Sequence, residues 1–162
     1  MVDNPIPATP VIFETELAST ARKVRGVLDQ ISGVLDRLGW NAAACGVVEL
    51  VLAEALNNIV EHAYSECPDG GIMLRMTAGP EFADLTLQDR GTAMPDYRIP
   101  AGRIVELGNR CDDLPEGGFG WYLIRTLAED ICYSRENDEN RLEIRICRHT
   151  HEGIKGAQQD LR

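Results

Sequence analysis

The segment from Ala42 to Tyr64, AAACGVVELVLAEALNNIVEHAY, most constrains the fold, because its length and apolar content predict one long core helix. The predicted buried side consists of Val48, Val51, Leu52, Ala55 and Ile59. At about 3.6 residues per turn, Glu54, Asn58, Glu61 and His62 share one narrow polar stripe. Unpaired polar groups are costly to bury, so this stripe requires either hydrogen-bond partners within the core edge or a ligand. The helix alone does not decide between them.

The chain length predicts a single domain. A chain of 162 residues with 44% hydrophobic residues is expected to bury roughly 70% of its unfolded surface around one core. We therefore predict one domain over residues 1–162. Residues 1–10, with three prolines, are expected to form a loose N-terminal arm, and residues 149–162 a polar tail.

The charge balance narrows the range of partners. Twenty-six acidic and 16 basic residues give a net charge of −10, which disfavours direct contact with nucleic acid or anionic lipid. We find no basic-then-apolar start and no apolar run near the twenty residues that span a bilayer, so we expect a cytoplasmic protein without membrane contact. Five cysteines without a C-x-x-C pair indicate reduced thiols rather than a disulfide framework or a zinc site.

An earlier helix is predicted from apolar residues spaced alternately by four and three, namely Leu17, Ala21, Val24, Leu28, Ile31, Leu35 and Leu38. Such a seam is compatible with packing on a sheet and also with a homodimer interface. Gly39 is predicted to end this helix, and Asn41 to cap the next one. A short strand is predicted before the first of these helices, around Val11 to Glu14.

Alternating residues predict two antiparallel hairpins, one over residues 72–88 around Ala-Gly-Pro and one over residues 131–146 around Glu136–Asn140. Together with the helices they predict a two-layer α/β sandwich, in which a mixed, mainly antiparallel sheet carries helices on one face. Residues 95–116 show no convincing period, and an irregular stretch of this length is usually functional or disordered. It ends in the glycine cluster GGFG, an arrangement that is found in loops and also in phosphate sites at helix starts.

Three motifs follow one another along the chain: EALNNIVEHAY, then DRGTAMP, then GGFGWYLI. Together they resemble the asparagine box and two glycine boxes of the histidine-kinase-like (Bergerat-fold) ATPases, which include DNA gyrase and sensor histidine kinases. The short length, the H-A-Y ending, the D-x-G-x-x-M-P form and the closing L-E-I-R strand resemble the anti-sigma-factor serine/threonine kinases of bacterial partner switching. The resemblance covers roughly residues 11 to 148.

The resemblance implies ATP and Mg²⁺ as cofactors. It implies that Asn58 holds Mg²⁺, which suits a neutral amide oxygen, and that Asp89 accepts a hydrogen bond from the adenine amine. It places Gly91 and Met94 at the base, and residues 95–116 in the ATP lid. The nucleotide-binding set is completed by the second glycine box, Gly117, Gly118, Phe119 and Gly120.

Glu54 matches the general base of these kinases, which deprotonates the attacking hydroxyl. His62 and Tyr64 also match family positions, but they are better interpreted as helix-end packing and hydrogen bonding. Two residues depart from the family pattern: Trp121 follows the second glycine box where small apolar residues are usual, and Glu116 precedes it where some members carry a basic residue. The sequence therefore supports ATP binding more strongly than phosphoryl transfer. Arg103 or Arg110 of the lid would supply the missing positive charge near the phosphates.

The resemblance implies a kinase that phosphorylates an anti-sigma antagonist and sequesters a sigma factor. Two alternatives remain: a non-catalytic ATP-sensing adaptor, and a detached histidine-phosphorylating domain, which the absence of a phospho-acceptor helix pair disfavours.

Overall fold

The computed structural model describes residues 9–102 and 119–148. Most of the predicted N-terminal arm, the predicted tail 149–162, residues 103–116 of the predicted lid and Gly117 and Gly118 of the second glycine box lie outside the described residues. The elements follow the order β1 (Val11–Ala18), α1 (Ala21–Arg37), α2 (Ala42–Asn58), a π-turn (Ile59–Ala63), β2 (Gly71–Ala78), β3 (Phe82–Asp89), a 3₁₀ turn (Pro95–Tyr97), α3 (Phe119–Leu127), β4 (Asp130–Glu136) and β5 (Glu139–Cys147).

The five described strands form one sheet in the order β1-β2-β3-β5-β4. All four pairings are antiparallel. The predicted fold class, a two-layer α/β sandwich, is thus confirmed, but the described sheet contains no parallel pair and is not mixed. Both predicted hairpins are present, and the second turns through Asn137 and Asp138, whose positive φ angles of 50° and 59° suit a two-residue hairpin.

The core lies between one face of the sheet and the helices, because alternate strand residues are buried on that face alone. These residues include Ile72, Leu74, Met76, Leu85, Leu87, Leu142, Ile144 and Ile146. The opposite face carries exposed cross-strand ion pairs such as Arg145 with Asp84 and Arg75 with Glu14. The sheet therefore has one apolar and one hydrated face.

Helix α1 differs from its prediction in two respects. Leu17 belongs to β1, which continues to Ala18, and the helix starts at Ala21 with Thr20 as its N-cap. Most of its apolar seam, including Ile31 and Leu35, is buried within the single chain, whereas Leu28 is half-buried and Ala21 is exposed. The seam therefore packs within the domain, and the alternative of a homodimer interface stays a prediction.

Helix α2 starts as predicted, with the Asn41 side chain accepting a hydrogen bond from the Ala44 amide at 2.8 Å. The regular helix ends at Asn58 and continues as the π-turn. Together these 22 residues, Ala42–Ala63, are long and apolar enough to span a membrane by length and composition, which corrects our expectation of no such run. In the fold, seven residues of α2 are buried in the core of the domain.

Candidate functional site

A cavity of about 360 Å³ opens between the C-terminal half of α2, the π-turn, the segment after β3, α3 and the second hairpin. Most of its wall is apolar, and its polar groups are few. Its lining residues are Ala55, Asn58, Ile59, His62, Ala63, Asp89, Thr92, Ala93, Met94, Pro95, Pro100, Trp121, Tyr133, Asn140 and Leu142. An apolar cavity with a few converging polar groups is typical of a small-molecule site.

Two of the predicted polar residues of α2 lie one helical turn apart. The Asn58 amide nitrogen donates to the main-chain oxygen of Glu54 at 2.7 Å. The Asn58 side-chain oxygen accepts no hydrogen bond from any residue that the structure describes, and Asn58 lines the cavity. Tethering the nitrogen to the helix leaves the oxygen available to a ligand.

Gly120, at the start of α3, packs directly against these residues. A Cβ atom at this position would collide with the Glu54 carboxylate and would lie 3.6 Å from the Asn58 amide nitrogen. The structure therefore brings the end of the second glycine box onto the polar stripe of α2. Gly117 and Gly118, also predicted to bind nucleotide, lie outside the described residues.

Asp89, the last residue of β3, is a buried carboxylate that is only 6% exposed. Its Oδ1 accepts hydrogen bonds from the Gly91 amide and from the Asn140 side chain, both at 2.8 Å. Its Oδ2 has no hydrogen-bond partner within the described part of the chain, and the residue lines the cavity. One carboxylate oxygen is thus held by the protein and the other is available to a ligand.

The turn after β3 rests on the π-turn. The Thr92 amide donates to the Ala63 carbonyl at 2.8 Å, and a Cβ at Gly91 would approach that same carbonyl oxygen to 2.5 Å. The Tyr64 hydroxyl accepts from the Arg90 amide at 3.0 Å and donates to the Gly71 carbonyl at 2.8 Å. Tyr64 therefore has the packing and hydrogen-bonding role predicted for it, and π-turns are frequent at functional sites.

The other predicted residues have different positions. Met94 lines the cavity, whereas Phe119 is 50% exposed, is not part of the cavity wall and stacks on Tyr122 with ring centroids 6.2 Å apart. His62 also lines the cavity and has no hydrogen-bond partner among the described residues, so its interpretation as helix-end packing is not supported. Trp121, noted as a departure from the family pattern, is buried and forms part of the wall.

Three residues of the second hairpin belong to the site but were missed from the sequence. Asn140 contacts Asp89, the Tyr133 hydroxyl donates to the Asn140 side-chain oxygen at 2.7 Å, and Arg135 donates to that oxygen at 2.6 Å. One signal was present: Asn140 shares the buried phase of β5 with Leu142 and the isoleucines that follow at every second position. A polar residue in an inward-facing phase requires a partner.

The pKa values of the two site carboxylates, Asp89 and Glu54, are both raised. Burial raises the pKa of Asp89, although the hydrogen bonds from Asn140 and Gly91 and the positive charge of Arg135 act in the opposite direction. Burial also raises the pKa of Glu54, and the neighbouring charge of Glu61 adds to this effect. Perturbed carboxylates beside a cavity are typical of functional sites.

The model of the histidine kinase-like ATPase domain matches residues 17–146, which include α2, the turn after β3 and the second hairpin. The chain belongs to the histidine kinase-like ATPase family. Membership of this family implies an ATP-binding domain and agrees with the arrangement of Asn58, Asp89 and Gly120 around one region of the molecule.

Relatives within the histidine kinase-like ATPase family support a closer placement. The chain is 29% identical over 122 residues to the serine-protein kinase RsbW of Halalkalibacterium halodurans, covering 75% of each chain. It is 28% identical over 102 residues to RsbW of Bacillus subtilis, covering 62% of this chain and 64% of that protein. The matched region thus spans about two thirds to three quarters of these relatives.

A solved structure of the RsbU and RsbW domains of a Mycobacterium tuberculosis protein has the same fold. It superposes with a TM-score of 0.56 at 14% identity, over 84% of this chain and 31% of that chain. This similarity supports the histidine kinase-like ATPase fold and nothing beyond it.

Proposed function

We propose that this protein is an ATP-dependent serine/threonine protein kinase that acts as an anti-sigma factor in partner switching. In this proposal it phosphorylates a small antagonist protein and sequesters a sigma factor. The observation that carries the proposal is the assembly of Glu54, Asn58 and Gly120 beside a cavity that contains Asp89. The family and the named serine-protein kinase relatives support the same class of reaction.

The cavity fits adenine. The available Oδ2 of Asp89 is an acceptor that would pair with the exocyclic amine of adenine, whereas guanine would present a carbonyl oxygen at that position. The apolar wall formed by Ile59, Met94 and Leu142 suits a flat aromatic base. ATP is therefore the preferred nucleotide in this proposal.

The residues present also fit a magnesium ion that accompanies the phosphates. Asn58 would hold Mg²⁺ through its side-chain oxygen, which has no partner among the described residues. The bound ion would offset the charge of the triphosphate. The Gly120 backbone, which approaches Glu54 too closely to accommodate a side chain, would lie beside the phosphates at the start of α3.

Glu54 would act as the general base. Its carboxylate has no hydrogen-bond partner within the described residues, and burial raises its pKa, which brings it closer to the acidity suited to proton transfer near neutral pH. Glu54 would accept the proton of the serine or threonine hydroxyl as that oxygen bonds to the γ-phosphorus and the bond to the leaving ADP oxygen breaks.

One observation favours a second candidate function, the ATP-sensing adaptor. No lysine or arginine is among the cavity-lining residues of the described chain, and kinases commonly place positive charge near the transferred phosphate. In the adaptor, ATP binding would present a surface to a regulatory partner without phosphoryl transfer. The two candidates share the nucleotide site and differ only in chemistry.

Phosphoryl transfer separates the two functions. Wild type and Glu54→Gln would be incubated with γ-labelled Mg-ATP and a small antagonist protein that binds the wild type. We expect label on an antagonist serine or threonine with the wild type, and transfer slower by roughly 10² to 10⁴-fold with Glu54→Gln at similar ATP affinity. A wild type that binds both ATP and antagonist but transfers no label would establish the adaptor. An acid-labile product would indicate histidine phosphorylation.

A further inference from the structure

Asn140 occupies an unusual position for an amide side chain. It is 4% exposed, lies at the start of β5, and pairs in register with Asp89 on β3. Its side-chain nitrogen donates to Asp89 Oδ1 at 2.8 Å, and it also approaches the main-chain oxygens of Gly91 and Thr92 at 3.3 and 3.2 Å. The nitrogen therefore contacts the carboxylate and the turn that follows it.

The orientation of this amide is determined by its other end. Its oxygen accepts hydrogen bonds from the Tyr133 hydroxyl and from Arg135 Nη1. A guanidinium group only donates, so a flipped Asn140 would place its NH₂ group against a donor. The Tyr133 hydroxyl oxygen already accepts from the Met94 amide at 3.1 Å, which directs its own proton toward Asn140.

We propose that Asn140 is a positioning residue that determines nucleotide specificity: it holds Asp89 Oδ1 so that Oδ2 is the acceptor presented to the base. Tyr133 and Arg135 fix Asn140 in the required orientation. The inference rests on the proposed ATP binding and extends it, because it assigns base discrimination to a hydrogen-bonded relay across β4, β5 and β3 rather than to Asp89 alone. Without the relay, only the Gly91 amide would hold the carboxylate, and the plane of the carboxylate would no longer be fixed relative to the base.

The surroundings of Asp89 set the conditions of the test. The titratable and charged side chains that share a cavity wall with Asp89 or act on its charge are His62, Glu16, Tyr64, Asp69, Arg90, Tyr133, Arg135 and Glu139. Replacing Asn140 by aspartate would add a second carboxylate within hydrogen-bond distance of Asp89, and such a pair retains one proton to higher pH than either group alone. The protonated pair would regain an O–H donor in place of the amide.

The experiment compares Asn140→Asp with Asn137→Asp by calorimetric titration of Mg-ATP between pH 8 and pH 6. The control makes the same charge change in the exposed turn of the same hairpin. At pH 8 we expect Asn140→Asp to bind about 10- to 100-fold more weakly than wild type, and the control to bind within about twofold of it. At pH 6 the loss relative to wild type should shrink by about threefold or more, as the carboxylate pair takes up its proton.

Dividing the affinity of the variant by that of wild type at the same pH cancels the ionisations that both measurements share, including that of the nucleotide. A ratio that stays constant across pH, or an Asn140→Asp affinity equal to that of the control, would overturn the inference. If Asn140→Asp does not fold, Tyr133→Phe tests the same relay. It should fold cooperatively and bind Mg-ATP about 3- to 10-fold more weakly, because the amide loses one orienting donor. Wild-type affinity in Tyr133→Phe would overturn the relay.

A nucleotide-free measurement distinguishes this failure from that of the proposed function. The Asp89 carboxyl carbon, followed by NMR, should titrate in two coupled steps in Asn140→Asp and in one step in wild type. An unchanged single step in the variant overturns the relay. A wild type that fails to bind Mg-ATP overturns the proposed function, and with it the role in base discrimination, even if the two-step titration is observed.

Discussion

Asp89 is costly to keep ionised inside the fold. Burial raises its pKa above the ordinary value of 3.8. A group with a raised folded-state pKa contributes stability that is complete below the unfolded pKa and is lost as pH rises through the folded pKa. At neutral pH the ionised Asp89 therefore lowers the stability of the nucleotide-free protein. This is the expected cost of presenting an unpaired carboxylate oxygen to a ligand.

Asp89→Asn separates this stability cost from binding. The asparagine oxygen would accept the two hydrogen bonds that Oδ1 accepts now, and its NH₂ group would replace Oδ2 and oppose the adenine amine. We expect ATP affinity to fall at least about 100-fold, while the nucleotide-free variant is at least as stable as wild type at pH 7.5. Thermal shift with and without Mg-ATP measures both.

The matched control is Asp84→Asn, the same change on the exposed face of the same strand, where Asp84 pairs with Arg145. It should retain the ATP response. Retention of wild-type ATP affinity by Asp89→Asn would show that the base is not held by Asp89.

The raised pKa of Glu54 leads to a second prediction at the residue scale, which concerns the pH dependence of phosphoryl transfer. Burial, and then the charge of Glu61, raise its pKa above 4.5. Since only the ionised form accepts a proton, phosphoryl transfer should be lost on acidification at a higher pH than an ordinary glutamate would give. Glu61→Gln removes one of the two causes, so its acid limb should shift to lower pH in the pH dependence of kcat/KM.

Glu49→Gln, on the N-terminal half of the same helix, is the control for Glu61→Gln and should leave the acid limb in place. If the limbs of wild type and Glu61→Gln coincide, another group supplies the observed ionisation and Glu54 is not the base.

At the scale of elements, the π-turn and the turn after β3 form one unit. The Ala63 carbonyl oxygen accepts from the Thr92 amide and lies only 2.5 Å from the position that a Cβ at Gly91 would take. Gly91→Ala should therefore push the two turns apart, reduce stability by about 1–3 kcal/mol and weaken Mg-ATP binding, because Asp89 is tied to Gly91. Urea unfolding and calorimetric titration measure the two effects.

Gly79→Ala is the matched substitution, since a Cβ there meets no atom within 4 Å. It should change neither stability nor affinity appreciably. A Gly91→Ala protein as stable as the Gly79→Ala control, with unchanged ATP affinity, would show that the contact with Ala63 does not hold the turn.

Local patterns predicted most elements, because their causes are local. The Asn41 cap, the apolar face of α2 and the two hairpins were all recognised from residues close in sequence. The strand order was not predicted, because the pairing of β3 with β5 joins residues that are more than fifty positions apart in the sequence. The start of α1 was also misplaced, since Leu17 fits either the helical seam or the alternation of β1.

The same distinction applies to the candidate site: residues in short motifs were predicted, and residues that depend on long-range pairing were not. Asn58 and Asp89 were identified because they belong to short motifs, and the structure places both at the cavity. Asn140 was interpreted as part of a turn, because its importance depends on its register opposite Asp89. The π-turn was also unpredictable, since its hydrogen bonding is completed by Thr92, nearly thirty residues further along the chain.

At the scale of the whole molecule, the distribution of charge opposes the proposed ligand. The net charge is −10, while the exposed face of the sheet is largely neutralised by its own ion pairs. Within the described residues, the cavity wall contains Asp89 and no lysine or arginine. An anionic nucleotide therefore approaches a molecule of the same sign of charge.

This arrangement predicts an unusual salt dependence. Added salt screens like-charge repulsion, so Mg-ATP affinity should rise by about two- to fivefold as ionic strength increases from about 20 to 200 mM, whereas sites built from basic residues lose affinity. Neutral adenosine should show no such trend, which makes it the control in the same calorimetric titration. A steep fall in Mg-ATP affinity with salt would contradict the prediction and would indicate that positive charge outside the described residues dominates the site. Arg103→Ala and Arg110→Ala would then identify its source, because removing the responsible arginine abolishes the fall.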